Sequence, residues 1–434
     1  MISGYARLNY TFANKYLLQA TVRRDGSSAF GKNNRWGTFP SASIGWRVLE
    51  ESFMKNQHIF DNLKLRVGYG ISGNTLGFDP LISKLRYATG SKFYYNASFI
   101  NSITPTQNEN PNLKWESTGM LNAGIDFSVL KGRISGTVEW YDKLTKDMLY
   151  SYSVPAAQYY VSSLFANVGQ MENKGWEVSL TAIPVKTHDF SWNTTFNISF
   201  NHNNLKKLSN DNFHLDYIKT AGVGEHGQSG NTVQIIQEGH PIGQFYIWKY
   251  AGRNSSNVSQ YYKADGSLTL NPGADDHFYE GNAQPKATGG WSNTLYYKNF
   301  SLDMLFRFVT GNKILNTTYA DLTYPAEATH YNMPKWITEV PINDDRIHYS
   351  SDLYLEKGDY IRLDNVTLAY TFKLPKTLAV KNLKVYTTAN NVFVITGYKG
   401  LDPEVYMGGM TPGIDNENFY PKTRTFLFGV NVDF

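Results

Sequence analysis

The sequence predicts an all-β protein whose main feature is a large antiparallel β-sheet crossing a membrane as barrel wall. Three observations carry this expectation. Segments alternate apolar and polar side chains at period two, strand pairs meet at short turns on one side and long polar connections on the other, and aromatic residues and glycine are abundant while charge is sparse. The 434 residues include 31 Tyr, 36 Gly and no Cys, and the formal net charge is only +4.

That composition excludes several classes. No run of eighteen or more apolar residues occurs, so no transmembrane helix is expected. The lack of cysteine removes disulfide frameworks and thiolate metal sites. With 41 Lys and Arg against 37 Asp and Glu, the chain is too balanced for a dedicated nucleic-acid binder. A secreted all-β binding protein shares much of this composition and stays open as a reading at this point. No basic n-region, apolar h-region or small-residue cleavage site is visible after Met1, so no signal peptide is expected within these residues.

The alternation runs along the whole chain. Leu63, Leu65, Val67, Tyr69 and Ile71 interleave with Lys64, Arg66, Gly68 and Gly70. Ile134, Val138 and Trp140 oppose Arg133, Ser135, Thr137 and Glu139. Trp192, Thr194, Phe196, Ile198 and Phe200 oppose Asn193, Thr195, Asn197, Ser199 and Asn201. Phe300, Leu302, Met304, Phe306 and Phe308 share a face, and Leu383, Val385, Thr387 and Ala389 form a weaker case. Hairpins are expected for Tyr5–Phe12 with Tyr16–Arg23, for Ile125–Val129 with Arg133–Tyr141, and for Trp291–Tyr297 with Phe300–Phe308. About fourteen strands are expected. Connections near 72–112, 203–240, 252–288 and 312–358 are long and rich in Asn, Gly, Ser and Pro. Such loops suit the outer side of a barrel and would be unusual in a compact soluble domain.

The final segment is the sharpest single feature. Phe426, Phe428, Val430, Val432 and Phe434 alternate with Thr425, Leu427, Gly429, Asn431 and Asp433. An amphipathic strand closing on an aromatic resembles an outer-membrane assembly signal, so these five residues are the candidate signal read by the assembly machinery.

Ordered motifs then carry a family resemblance. Arg24-Asp25-Gly26-Ser27-Ser28 with Phe30-Gly31 leads to Asn34-Arg35-Trp36-Gly37 and Phe39-Pro40-Ser41. Gly45-Trp46-Arg47, Glu51-Ser52-Phe53 and Asn110-Pro111-Asn112-Leu113-Lys114-Trp115-Glu116 follow. Gly175-Trp176-Glu177, Pro285-Lys286 with Gly289-Gly290, Gly358 to Leu368, Gly400-Leu401-Asp402-Pro403-Glu404 and Tyr420 to Thr425 complete the set. Together they resemble the SusC/RagA family of TonB-dependent outer-membrane transporters over essentially the whole chain, residues 1–434.

The resemblance implies import of large nutrients, with oligosaccharides expected over peptides. It implies a SusD-like surface lipoprotein as partner and a TonB complex as energy source. It also implies that these residues form the C-terminal part of the barrel, incomplete and lacking the plug domain and TonB box. A passive porin-like small barrel and a non-functional fragment are the alternatives. The expected localisation is the cell outer membrane, in contact with its lipid.

For individual residues a plainer role competes with a functional one. Arg24, Asp25 and Arg35 fit a polar turn better than a lumen site. Trp248 and Trp336, in long connections, are the candidates for stacking on sugar rings. Asp265, Asp275, Asp276 and Glu280 suit Asx-turn chemistry as well as calcium, and their spacing is not that of an EF-hand. The histidines show no ligand spacing, so neither metal nor cofactor is expected. No GxSxG, P-loop or dinucleotide fingerprint occurs, and no enzyme is expected.

If the last strand is the assembly signal, Phe434→Ser lowers the amount of folded, heat-modifiable protein in the outer membrane several-fold at unchanged synthesis. An unchanged folded fraction would remove that role.

Overall fold

The computed structural model describes all residues except 75–78, 211–213, 225, 227, 376–378 and 417–419. Among the described residues, thirteen long strands carry the alternating pattern. They are β1 (Ile2–Phe12), β2 (Tyr16–Gly26), β3 (Trp36–Arg47), β4 (Phe60–Asn74), β5 (Glu116–Val129), β6 (Ile134–Ser153), β7 (Ser163–Lys186), β8 (Phe190–Lys207), β9 (Ala287–Tyr297), β10 (Phe300–Thr310), β11 (Tyr360–Phe372), β12 (Asn382–Thr396) and β13 (Thr425–Asp433).

The expected hairpins are present, and most of their strands run longer than the sequence pattern indicates. β6 reaches Ser153 and β7 has 24 residues, whereas crossing a bilayer takes about 9–11. The apolar/polar alternation marks only the part in hydrocarbon. Beyond it the strand continues in a polar medium, where nothing constrains the pattern.

Two compact units are present. The first comprises Met1–Phe127, Glu139–Gly175 and Asn204–Asp216. Its strands run in the order β1-β2-β3-β4-β5. Register is regular, with Leu8 opposite Ala20, Leu18 opposite Ile44 and Ile44 opposite Val67. One face therefore carries Leu8, Leu18, Ile44 and Val67, all exposed. The other carries Asn9, Gln19, Ser43 and Gly68, because a pleated strand sends successive side chains to opposite sides. At the short-turn end Ala13 and Asn14 take left-handed backbone. Glu51 ties that end together, accepting from Lys15 Nζ at 2.9 Å, Tyr16 Oη at 2.7 Å and Trp46 Nε1 at 3.1 Å. The Tyr16 and Lys15 hydrogen bonds hold its carboxyl down at about 2.

At the opposite end of this unit, two motifs about eighty residues apart form one clasp. Phe30 and Phe39 pack on Trp115 with ring centroids at 4.7 and 5.3 Å. The Trp115 indole donates to the Arg35 carbonyl at 3.1 Å, and Gly31 N–H donates to the Leu113 carbonyl at 2.8 Å. Gly31 is required by close approach, since a Cβ there would stand 1.8 Å from the Pro111 carbonyl oxygen. Asn108 extends the clasp by donating to the Val161 and Ser163 carbonyls, both at 2.7 Å.

The second unit comprises Ser128–Val138, Trp176–Asn203 and Tyr217–Phe434. Its long strands run β8-β9-β10-β11-β12-β13, all antiparallel. Phe196 lies opposite Trp291, which lies opposite Phe306. The rings stack across the strands, Trp291 on Phe306 at 5.4 Å and Phe196 on Phe308 at 5.9 Å. A Cβ at Gly289 would meet the Phe308 ring at 2.4 Å, so glycine there lets that ring lie across the strand. Polar atoms on this apolar face are paired: Trp192 Nε1 donates to Asn293 Oδ1 at 2.9 Å and Trp291 Nε1 to Thr194 Oγ1 at 2.8 Å.

The long connections are not irregular. In the second unit they fold into small sheets, one of them formed by 217–222, 232–237, 244–248 and 277–282. Phe245, Ile247, Leu315 and Tyr354 form their core. In the first unit, 86–95 and 98–107 form a two-stranded hairpin.

Gly31→Ala is expected to destabilise the clasp by about 1–3 kcal/mol or more, the usual cost of forced overpacking. A lowered temperature of heat-modifiable unfolding on gels would show it, and an unchanged one would contradict the close approach.

Candidate functional site

The polar face of the first unit carries a charged cluster at mid-strand. Arg66 on β4 donates from Nη2 to Glu139 Oε2 on β6 at 2.5 Å and from Nε to Asp126 Oδ1 on β5 at 3.4 Å. Asn122 donates to the other Glu139 oxygen at 3.0 Å, and Lys64 Nζ lies 3.9 Å from Asp126. Gly124 leaves the room, since a Cβ there would stand 2.8 Å from the Arg66 guanidinium carbon. Next to this cluster, a cavity of about 390 Å³ is lined by Gln19, Ser41, Ser43, Gly70 and Lys143. Ala42, Tyr69, Ile71 and Met120 also line it, so the cavity joins apolar surface to small hydroxyls, amides and fixed charges that suit a hydrated polar solute.

In the second unit, a second ionic cluster fastens the connection after β12 to the sheet. Arg362 on β11 is 1% exposed and reaches Asp402 Oδ1 at 2.5 Å and Glu404 Oε2 at 3.0 Å. Arg307 on β10 makes a two-pronged contact with Glu404, at 2.8 and 3.2 Å, and also bonds Asp364 at 2.8 Å. Lys422 closes the loop onto Glu404. Burial pushes the Glu404 carboxyl up, but hydrogen bonds from Arg307, Lys422 and Tyr360 outweigh it and hold the group at about 2. A buried guanidinium with two carboxylates makes a fastener whose release would strand charge. The Gly400–Glu404 and Tyr420–Thr425 motifs are thus the two ends of one strap.

The candidate residues fall as follows. Trp248 is 6% exposed, with its ring against His277 at 5.3 Å and Tyr349 at 5.4 Å and its indole donating to Gly273 O. Its faces are covered by its own neighbours, which corrects the expectation that it could stack on a sugar. The sequence could not show this, because the aromatics that enclose it lie up to a hundred residues away. Trp336 is half-buried, with one side on Tyr319 at 4.5 Å. Phe426, Phe428, Val430, Val432 and Phe434 form one exposed apolar row on and just after β13.

Asp25 accepts from Arg23 at 2.8 Å, and Arg24 lies over the Trp36 ring at 5.5 Å. In the acidic loop, Asp265 caps Ser267 N–H at 2.9 Å, Asp276 caps Gly273 N–H at 2.8 Å, and Glu280 pairs with Lys249 at 3.1 Å. Sequence reasoning missed Arg66, Asp126 and Glu139 as a cluster. The available signal was three charges on the polar parity of three separate strands.

Long antiparallel strands with an exposed aromatic face, a polar opposite face, short turns at one end and folded loops at the other define an outer-membrane β-barrel protein. The TonB dependent receptor-like, beta-barrel family model matches residues 2–392, and the chain belongs to that family. Its relatives make it a SusC/RagA-type member. It is 33% identical over its whole length to the TonB-dependent receptor SusC of Bacteroides thetaiotaomicron, covering 44% of that protein. It is 32% identical to the TonB-dependent receptor P39 of Formosa agariphila, covering 46% of it. Among solved structures, the RagAB peptide transporter superposes with a TM-score of 0.85 at 25% identity, over 99% of this chain and 47% of that one. The chain spans about half the length of the curated relatives it matches. Members of the family are outer-membrane transport proteins, not enzymes, and that localisation displaces the secreted reading.

Asp402→Asn leaves Arg362 buried with part of its charge uncompensated, a change that costs about 3–5 kcal/mol when a buried pair is broken. Faster proteolysis within 397–424 would report it, and an unchanged rate would refute the strap. The pH dependence has a definite sign. A carboxylate held below its unfolded value, about 4.3 for Glu, stabilises the fold above that value and loses its contribution as pH falls toward about 2. Strap protection in hydrogen exchange should therefore hold at pH 6 and decline below pH of about 4.

Proposed function

We propose that this chain supplies part of the barrel wall and the outer loops of a TonB-dependent importer of large nutrients, with oligosaccharides as the substrate class. In this reading a SusD-like lipoprotein closes the barrel from outside, and a TonB complex drives transport. The observation that carries the reading is the charged wall face around Arg66, Asp126 and Glu139, beside a cavity lined by Gln19, Ser41, Ser43, Asn122 and Lys143 together with Tyr69 and Met120. Such a surface suits passage of a bulky hydrated solute.

Several features support the finer parts. Trp336 keeps a partly open ring in a long connection and is the stacking candidate for a sugar. The exposed apolar row of Phe426, Phe428, Val430, Val432 and Phe434 suits recognition by the assembly machinery before it meets lipid. The name of one solved relative describes a peptide transporter, so peptide is the competing substrate class.

Deleting the gene in its native host is expected to abolish growth on an oligosaccharide above the size limit of general porins, with growth on its monosaccharide intact. Trp336→Ala in the intact gene should raise the half-saturating oligosaccharide concentration several-fold. Loss of growth on peptides alone would replace the substrate class, and unimpaired growth on both would contradict import.

A further inference from the structure

The outward face of the first unit holds a second cluster that transport does not use. On β6, Trp140, Asp142, Leu144 and Lys146 lie on the same face as Val138, at period two. On β7, Glu172 and Lys174 precede Trp176 with the same spacing. This is the apolar face of Val67 and Tyr69, not the face of Arg66. A groove of about 260 Å³ opens on it, lined by Tyr69, Ile71, Leu121 and Leu144 together with the charged Asp142, Glu172 and Lys146. The Tyr69 hydroxyl lies over Gly119, where a Cβ would stand 3.0 Å away.

Its height relative to the membrane follows from the strands. Trp140 and Trp176 mark the aromatic level expected at a membrane interface. Asp142 and Lys174 lie two residues further toward the long-connection end, roughly 7 Å along the strand, and Leu144, Glu172 and Lys146 lie further still. The groove therefore sits at and above headgroup level in the outer leaflet, facing lipid.

The charges are arranged asymmetrically. Lys174 pairs with Glu172 at 2.9 Å and Asp142 at 3.4 Å, and Lys206 pairs with Glu172 at 3.0 Å. Two lysines thus neutralise the two carboxylates. Lys146 is exposed, and among the described residues no ion pair engages it. An outward cation beside an aromatic ring and an aliphatic floor suits a sugar ring bearing phosphate. The sugar's C–H face packs on Tyr69 and Ile71, and the phosphate meets Lys146.

We propose that this groove binds the phosphorylated sugar headgroup of an outer-leaflet glycolipid, fixing one lipid to the wall between β4 and β7. The site rests on the outer-membrane placement of the chain and not on the import reading, so either can fail without the other.

The test uses the full-length protein in detergent micelles, titrated with a phosphorylated acyl-glucosamine lipid and with its dephosphorylated form, and read by native mass spectrometry. The phosphorylated lipid should bind the more tightly. Lys146→Gln should weaken it about fivefold, the factor for roughly 1 kcal/mol per interfacial lysine, and should leave the dephosphorylated lipid unchanged. Lys131→Gln, the same charge change in the turn at the other end, should alter neither. Equal binding of the two lipids by the unaltered protein, undiminished binding in Lys146→Gln, equal weakening in Lys131→Gln, or a preference for a glycerophospholipid would each overturn the proposal.

Discussion

Every long strand of this protein answers to one constraint: inside hydrocarbon no water is available for backbone N–H and C=O groups. Each must find its partner on a neighbouring strand. That requirement makes the strands long, antiparallel and regular, and it leaves side chains to sort by medium alone. Hence Ile44 and Val67 stand on one face while Ser43 and Gly68 stand on the other. The tryptophans of the apolar face obey the same rule at atomic scale. Trp192 and Trp291 each spend their single N–H on a polar atom that lipid could not satisfy.

Outside the hydrocarbon the constraint lapses and conventional packing returns. The connections of the second unit have apolar cores of their own, with Phe245 and Ile247 fully buried, and polar pins such as Gln234 donating to the Pro412 carbonyl at 2.6 Å. The loops are joined to the strands by groups that tolerate no half-measures. Arg362 needs both Asp402 and Glu404, and Trp115 needs both Phe30 and Phe39. Such contacts define a loop's position more than they add stability, because a buried ion pair gains little over an apolar one yet penalises displacement strongly.

The wall was largely legible in the sequence, and the site only in part. Period-two alternation places residues such as Phe196, Trp291 and Phe306 on one face without structural knowledge, since parity alone decides it. The glycines and acids of the family motifs were visible as landmarks but not as contacts. Gly31 meets Pro111, and Arg362 meets Asp402, across separations that no local pattern encodes. Trp248 illustrates the same limit in reverse. A tryptophan in a polar connection reads as exposed, and only the fold of that connection shows His277 and Tyr349 covering it. Strand length was hidden for a different reason, because β6 and β7 continue into water where either face may be polar.

The division of the sheet into a lipid face and a lumen face is the claim on which the rest stands, and the lack of cysteine in these 434 residues makes it directly measurable. Single cysteines placed in turn from Asn193 to Phe200 along β8 can be probed in intact outer membranes with a small water-soluble maleimide. Labelling should alternate, with Asn193, Thr195, Asn197 and Ser199 reactive and Thr194, Phe196, Ile198 and Phe200 protected. Uniform labelling along the strand, or the opposite phase, would contradict it.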